Sequence, residues 1–469
     1  MIDNINNENT ETKLSDKLFY KKKSAYELLN RAEIEEAYSY AKGYTQFLDE
    51  AKTERESVIA AIKMAEAAGF VPYTLGMPLE QGGRYYYNNR GRGLYVFTTG
   101  RRPVEEGIRI LAAHIDSPRI DLKQVPVYED SGMCFFKTHY YGGIRKYQWM
   151  ALPLALHGVV VKADGTSVNI VVGENEGEPV FCINDLLPHL AQDQNTKPLG
   201  TAIAGETLNL LVGACPYGIE GEERIKLNLL KILNEKYGIA EADFMSAELC
   251  AVPAAKARDV GFDRALIGAY GHDDRVCAYP ALTAVLKNAN SEYPLMCVLA
   301  DKEETGSNGN TGMKCRIFSD LIDEISRSLG GNPNIVRANS KCLSADVAAA
   351  YDPNFSDVYE KRNSAILSCG VAMSKYTGSR GKSGTSDASA EYVAYIRGIF
   401  EGEGVVFQTA ELGKVDLGGG GTVAMYIANE NIEIVDVGVP VLSMHAPFEV
   451  VSKVDLYAAY RAFAAFCRR

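Results

Sequence analysis

Between Ser24 and Phe70 apolar residues recur every three or four positions, the spacing of amphipathic helices, and Gly43 interrupts the run. The pattern predicts two helices split near that glycine. Two short apolar stretches follow, GLYVFTTG (93–100) and GIRILAAHIDSP (107–118), each bracketed by polar residues as buried strands are. From about 123 to 252 the texture changes to short strands joined by turn residues. VVVKADGTSVNIVVG carries a hairpin signal at Asp164-Gly165, and helical periodicity is weak in this block. After Val252 the alternation returns. It predicts a helix over about 276–288, a strand at PLMCVLAD (294–301), a helix over about 385–400, a strand near 435–442 and a last helix over about 449–467. An α/β pattern interrupted by an all-β block reads as one discontinuous α/β domain, residues 1–122 and 253–469, receiving a β-rich domain at 123–252. The core is expected to be a mixed, mostly parallel sheet between helices. Residues 1 to about 18 are polar and expected to be mobile.

Composition narrows the function classes. At 469 residues, with 46% hydrophobic and 23% charged positions, the chain can bury a large interior. A net charge of −11 argues against a nucleic-acid partner, since phosphate binding draws on a Lys/Arg surplus. The ten cysteines occur singly, without the clustering of a disulfide scaffold or a zinc ribbon, and read as reduced, mostly buried residues. The polar start MIDNINNENTETKLSDK lacks the form of a signal peptide, and no apolar stretch approaches a membrane span. The expected compartment is therefore the cytoplasm.

Candidate chemistry gathers at the ends of apolar runs. AAHIDSPRIDLK places His114 and Asp116 where open α/β sheets put their active residues, and Asp116 suits the orientation of a ligating imidazole. GHDDRVCAY (271–279) sets Asp273 and Asp274 before a helix, where Asp273 can bridge two cations or the pair can simply cap the helix. In DKEETGSNG (301–309) two consecutive carboxylates diverge after a strand. Glu304 then reads as a ligand and Glu303 as the general base acting on water, against the plainer reading of a solvated loop. LSADVAAA (343–350) and LSMHAPFE (442–449) each close an apolar run with one more candidate, Asp346 and His445. Together the five ligands offer the nitrogen and oxygen donors of a two-zinc centre, with manganese or cobalt as alternatives.

The order and flanks of these residues resemble the M18 aspartyl aminopeptidases, whose pattern runs H-x-D-S-P, an Asp before a helix, D-x-E-E-x-G-S, S-x-D and M-H-S-x-R-E. The likeness covers nearly the whole chain. It implies a zinc-peptidase, phosphorylase/hydrolase-like fold and a metal-dependent aminopeptidase that removes an N-terminal residue, acidic in the family's namesake members, from peptides. One ion is implied on His114, Asp346 and bridging Asp273, the other on Asp273, Glu304 and His445, with Glu303 as base and a non-proline cis peptide after Asp273. The family further implies self-association through the inserted domain, from dimers to dodecamers, with His189 reaching a neighbouring subunit's site. Two positions depart from the pattern. Ala349 stands where relatives carry a histidine, and Phe448 replaces the arginine of M-H-S-x-R-E; both fall on the substrate side. In SKYTGSR, Lys375 and Arg380 are candidate partners for a substrate carboxylate, or solvated loop residues. Gly420 and Gly421, in the Gly418–Gly421 run, either let backbone amides approach a peptide or form a plain flexible turn. An M42-like aminopeptidase of neutral or broad specificity and a non-catalytic peptide-binding homologue are the alternatives.

Overall fold

The computed structural model describes residues 14–15 and 17–469, so most of the polar N-terminal stretch lies outside the described residues. The largest sheet has nine strands, in the order Val71–Pro72, Arg84–Asn89, Gly93–Thr98, Leu295–Ala300, Arg109–His114, Lys341–Ser344, Glu433–Gly438, Val371–Ser374 and Phe407–Thr409. Five of its eight pairings are parallel, which makes it mixed and mostly parallel. All six residues of Arg109–His114 are buried, as expected of a central strand covered on both sides.

Alternation along that strand explains the layering. Leu111 and Ala113 face one apolar core with helices Arg31–Glu50, Glu54–Ala67, His272–Lys287 and Lys453–Cys467. Ile110 and Ala112 face the other core with helix Ile317–Ser328. Parallel strands pointing the same way put His114, Glu303 and Asp346 together, since each follows the C-terminal end of a neighbouring strand. A five-stranded sheet, ordered Arg258–Val260, Leu266–Ala269, Glu449–Ser452, Pro440–Leu442 and Ala348–Ala349, brings Asp273 and His445 in from the side.

The strands from Arg119–Asp130 through Ala247–Pro253 form a separate seven-stranded antiparallel sheet with its own apolar core around Phe136, Trp149 and Leu154. Asp164-Gly165 turns the chain between Leu154–Val161 and Ser167–Val172, with Asp164 Oδ1 accepting from Thr166 N at 2.8 Å.

The structure corrects several expected elements. Helix Arg31–Glu50 runs straight through Gly43, and the break comes at Ala51–Thr53, where Thr53 and Glu56 form a capping box for the next helix. Gly43 serves close packing: a Cβ there would meet the Tyr279 hydroxyl at 2.5 Å. The block from 123 to 252 also contains a helix, Arg224–Tyr237, ended by Gly238 in the left-handed conformation. The expected last helix begins only at Lys453, because Glu449–Ser452 pairs as a strand. Seven of the ten cysteines are buried and all are free.

Candidate metal centre

His114 ends its strand with its imidazole 2% exposed. Its Nδ1 donates to the Asp116 carbonyl at 3.0 Å, with the Asp116 carboxylate 3.4 Å away. A carbonyl only accepts, so Nδ1 carries the proton and Nε2 presents its lone pair inward. His445 is oriented the same way by a different part of the chain: Nδ1 donates to the Gly143 carbonyl at 2.8 Å. Both Nε2 atoms face Asp273, His114 at 3.1 Å from Oδ1 and His445 at 3.1 Å from Oδ2. Asp273 thus lies between the two imidazoles, and its peptide bond to Asp274 is cis.

The remaining candidates close around this axis. Glu304 Oε2 lies 3.6 Å from His445 Nε2, and Glu303 Oε2 lies 4.0 Å from His114 Nε2. Two sets, His114–Asp273–Asp346 and Asp273–Glu304–His445, each have potential ligand atoms within 4.8 Å of one another, and His114 with Glu303 and Glu304 makes a third. Asp346 owes its place to Gly438, where any side chain would collide with the Asp346 carbonyl.

Charge and unmet bonding decide whether cations fit. Asp273 Oδ1 and Glu304 Oε1 are buried and accept no hydrogen bond. Burial, reinforced by Asp273 and Asp116, pushes the Glu303 carboxyl up to about 7, and burial drives Glu304 and Asp346 well above the usual carboxylate range. Opposed to them, His445 is raised to about 10 by its bond to Asp273 and the nearby carboxylates, despite burial. Four carboxylates thus meet two imidazoles in the cluster, and each inward Nε2 needs a proton or a cation between itself and Asp273. Hard–borderline cations with N/O preference match this donor set.

A ring of buried acids fixes the inner residues. Asp116 accepts from the backbone N–H of Glu303 at 3.1 Å and of Glu304 at 3.2 Å, and from the Tyr141 hydroxyl at 2.7 Å. Asp274 accepts from His114 N at 3.2 Å. Glu449, raised to about 8 by burial and by Asp273, accepts from Asp273 N at 3.1 Å and His445 N at 2.7 Å. Glu449 and Tyr141 went unnoticed in the sequence. Glu449 had one available signal, a lone acid entering an apolar strand four residues after His445.

The cavity beside the cluster, about 220 Å³, is lined by His114, Asp273, Glu303, Asp346, Ala349, Glu411, Gly420, Gly421 and His445 among others. Lys375 is not there, being paired with Asp387, and Arg380 lines an adjoining cavity. His189 sits on an exposed turn away from the cluster. Phe448 does not line the cavity either; its ring lies against Gly268 because that glycine leaves room for it. His272, which accepts from Tyr44 at 2.7 Å and donates to the Ile267 carbonyl, is held neutral, its pKa lowered to about 3 by burial.

Residues 47–467 match the family model described as aminopeptidase I zinc metalloprotease (M18). A curated relative from Clostridium acetobutylicum, named probable M18 family aminopeptidase 1, is 48% identical over 95% of this chain and 97% of its own length. The crystal structure of an M18-family aminopeptidase from Thermotoga maritima superposes with a TM-score of 0.91 at 43% identity, covering 96% of this chain and all of that one. The Saccharomyces cerevisiae mApe1 dodecamer structure shares the fold at a TM-score of 0.75 and 21% identity, over 91% of this chain and 96% of that one. With the match spanning nearly its full length, this chain belongs to the M18 family of zinc metalloprotease aminopeptidases.

Proposed function

We propose that this metalloaminopeptidase works with two divalent ions, His114 and Asp346 on one, Glu304 and His445 on the other, and Asp273 shared. The observation that carries this reading is Asp273 itself, whose two oxygens face two imidazoles at 3.1 Å each. Bound ions at this place would supply Lewis-acid polarisation of the substrate carbonyl and a lowered pKa for water. Glu303 is the base: its carboxylate lines the cavity 4.0 Å from His114 Nε2, where it takes the proton of the attacking water and returns it to the leaving amine. Asp116 positions it by holding the Glu303 and Glu304 backbone, and Gly420 and Gly421 allow close approach of a peptide backbone. The substrates are peptides with a free N-terminus and the compartment is the cytoplasm.

Residues 123–252 are proposed as the unit of self-association, in dimers that build larger closed assemblies, with His189 offered to a neighbouring copy. Its exposed place on the turn Pro188–Leu190, between two strands of the antiparallel sheet, supports that role. An acidic first residue gains no support from the cavity, whose lining contains no lysine or arginine.

The test is amino-acid release from short peptides by zinc-, manganese- or cobalt-reconstituted wild type and by Glu303→Gln, with metal content assayed in both. Turnover by wild type, and its loss in a variant that keeps two ions per chain, is the expected result. A fully metallated wild type that cleaves no peptide would overturn the reading.

A further inference from the structure

We infer that Glu411 sets this site's preference for peptides whose first residue carries a cationic side chain, lysine or arginine. The inference rests on the aminopeptidase reading and names the substrate class for it. Four carboxylates line the cavity, and three of them, Asp273, Glu303 and Asp346, belong to the metal cluster. Glu411 is the fourth. It lies outside every potential ligand set, so its charge is not consumed by the cations that the cluster would hold.

Its environment fixes it without neutralising it. The Tyr376 hydroxyl donates to Oε1 at 2.7 Å, and the Glu411 backbone N–H donates to Asn363 at 2.7 Å. No donor among the described residues bonds Oε2, and none of the nearby cations forms an ion pair with Glu411. Lys375 and Lys382 are both committed to Asp387, and Lys414 donates to the Asp357 carbonyl. Glu411 also lines the adjoining cavity with Arg380, Lys382 and Lys414, and Arg380 forms no bond to it. A cation arriving through the cavity would supply the missing partner, and a charge-assisted bond to a fixed carboxylate favours it over a neutral isostere.

The lining suits a charge carried at the end of an aliphatic stem. Glu411 follows the edge strand Phe407–Thr409 and shares the cavity with His114, Asp273 and Asp346. Ala348, Ala349, Val347, Leu412 and Met444 supply an apolar wall for that stem. A histidine at 349 would narrow the same wall; alanine leaves it open.

The experiment measures kcat/KM of the metal-reconstituted full chain on peptides differing only in a first Lys, Arg, Leu or Asp, for wild type, Glu411→Gln and Glu411→Lys. Wild type is expected to favour Lys and Arg over Leu and Asp by about tenfold or more. Glu411→Gln should bring the Lys/Leu ratio toward one, and Glu411→Lys should raise the Asp/Lys ratio. Ratios taken within one variant cancel any loss of folded protein. Equal wild-type turnover of Lys and Leu, a preference for Asp, or a Lys/Leu ratio untouched by Glu411→Gln overturns the inference while leaving the aminopeptidase reading intact. No turnover of any peptide removes both.

Discussion

Two buried clusters in this protein use the same residue types to opposite ends. At the junction between helix Glu54–Ala67 and the antiparallel sheet, His157 is bonded through Nδ1 to Glu56 at 2.7 Å and through Nε2 to Glu174 at 2.9 Å, and Lys52 pairs with Glu174 at 2.7 Å. Every charge there has a protein partner. Around Asp273, His114 is as buried as His157 while the His445 side chain is 35% exposed, yet Asp273 Oδ1, Asp274 Oδ1 and Glu304 Oε1 accept no hydrogen bond. What separates a structural network from a reactive site is therefore not composition but completeness. The first cluster is finished by the chain, and the second leaves carboxylate oxygens open within groups that could hold a metal ion.

Removing the carboxylate that handles the proton should have the largest effect. Glu303→Gln is expected to lower kcat by about 10²–10⁴-fold with metal content unchanged, measured by single-turnover peptide cleavage and elemental analysis. Loss of metal along with activity would instead make Glu303 a ligand. Next, chelation should destabilise wild type by about 3 kcal/mol when the free metal had stood near a hundred times its dissociation constant, read as a fall in melting temperature. Asp273→Asn, lacking the shared ligand, should show little further fall on chelation.

The closed cluster should respond to pH rather than to metal. The His157 pKa is raised above 6.5 by its bonds to Glu174 and Glu56, which outweigh burial. Its contribution to stability is thus complete below about 6.5 and is lost as pH rises through the folded value. Glu174, depressed by His157 and Lys52 against burial, works the other way: its contribution is present above about 4.5 and is lost on acidification through its lowered value. Urea midpoints of wild type should fall between pH 6 and pH 9, and His157→Gln, costing about 1.5–3 kcal/mol at pH 6, should flatten that dependence. An unchanged slope would take His157 out of the network. The smallest effect belongs to a fully solvated pair. Arg31 and Glu35 meet at 3.0 Å on an exposed helix face, and Glu35→Ala should move stability by no more than about 0.5 kcal/mol.

The sequence revealed what depends on local pattern and hid what depends on distant partners. Strand ends could be read because apolar runs stop abruptly before His114, Glu303 and Asp346, and those runs lie side by side in parallel. Gly43 misled because a glycine that admits Tyr279 and one that ends a helix look alike until the second helix is in place. The helix Arg224–Tyr237 was hidden by the β-rich texture around it, though its leucines are helically spaced. Glu449 could not be weighed without knowing that two backbone donors, His445 four residues before it and Asp273 176 residues before it, converge on it. Lys375 was a reasonable partner for a substrate carboxylate until Asp387 was seen to occupy it.

Three consecutive residues at the end of strand Met133–Tyr141 reach into the centre: Tyr141 bonds Asp116, Gly142 packs against Glu304, and Gly143 accepts from His445. The antiparallel sheet is accordingly no detachable ornament. A chimera that exchanged it for another module would have to retain these three residues as a root, or the new protein would inherit a slack imidazole and an unfastened carboxylate. One β-strand thus serves both as a paired member of the antiparallel sheet and as the fastening of the catalytic cluster.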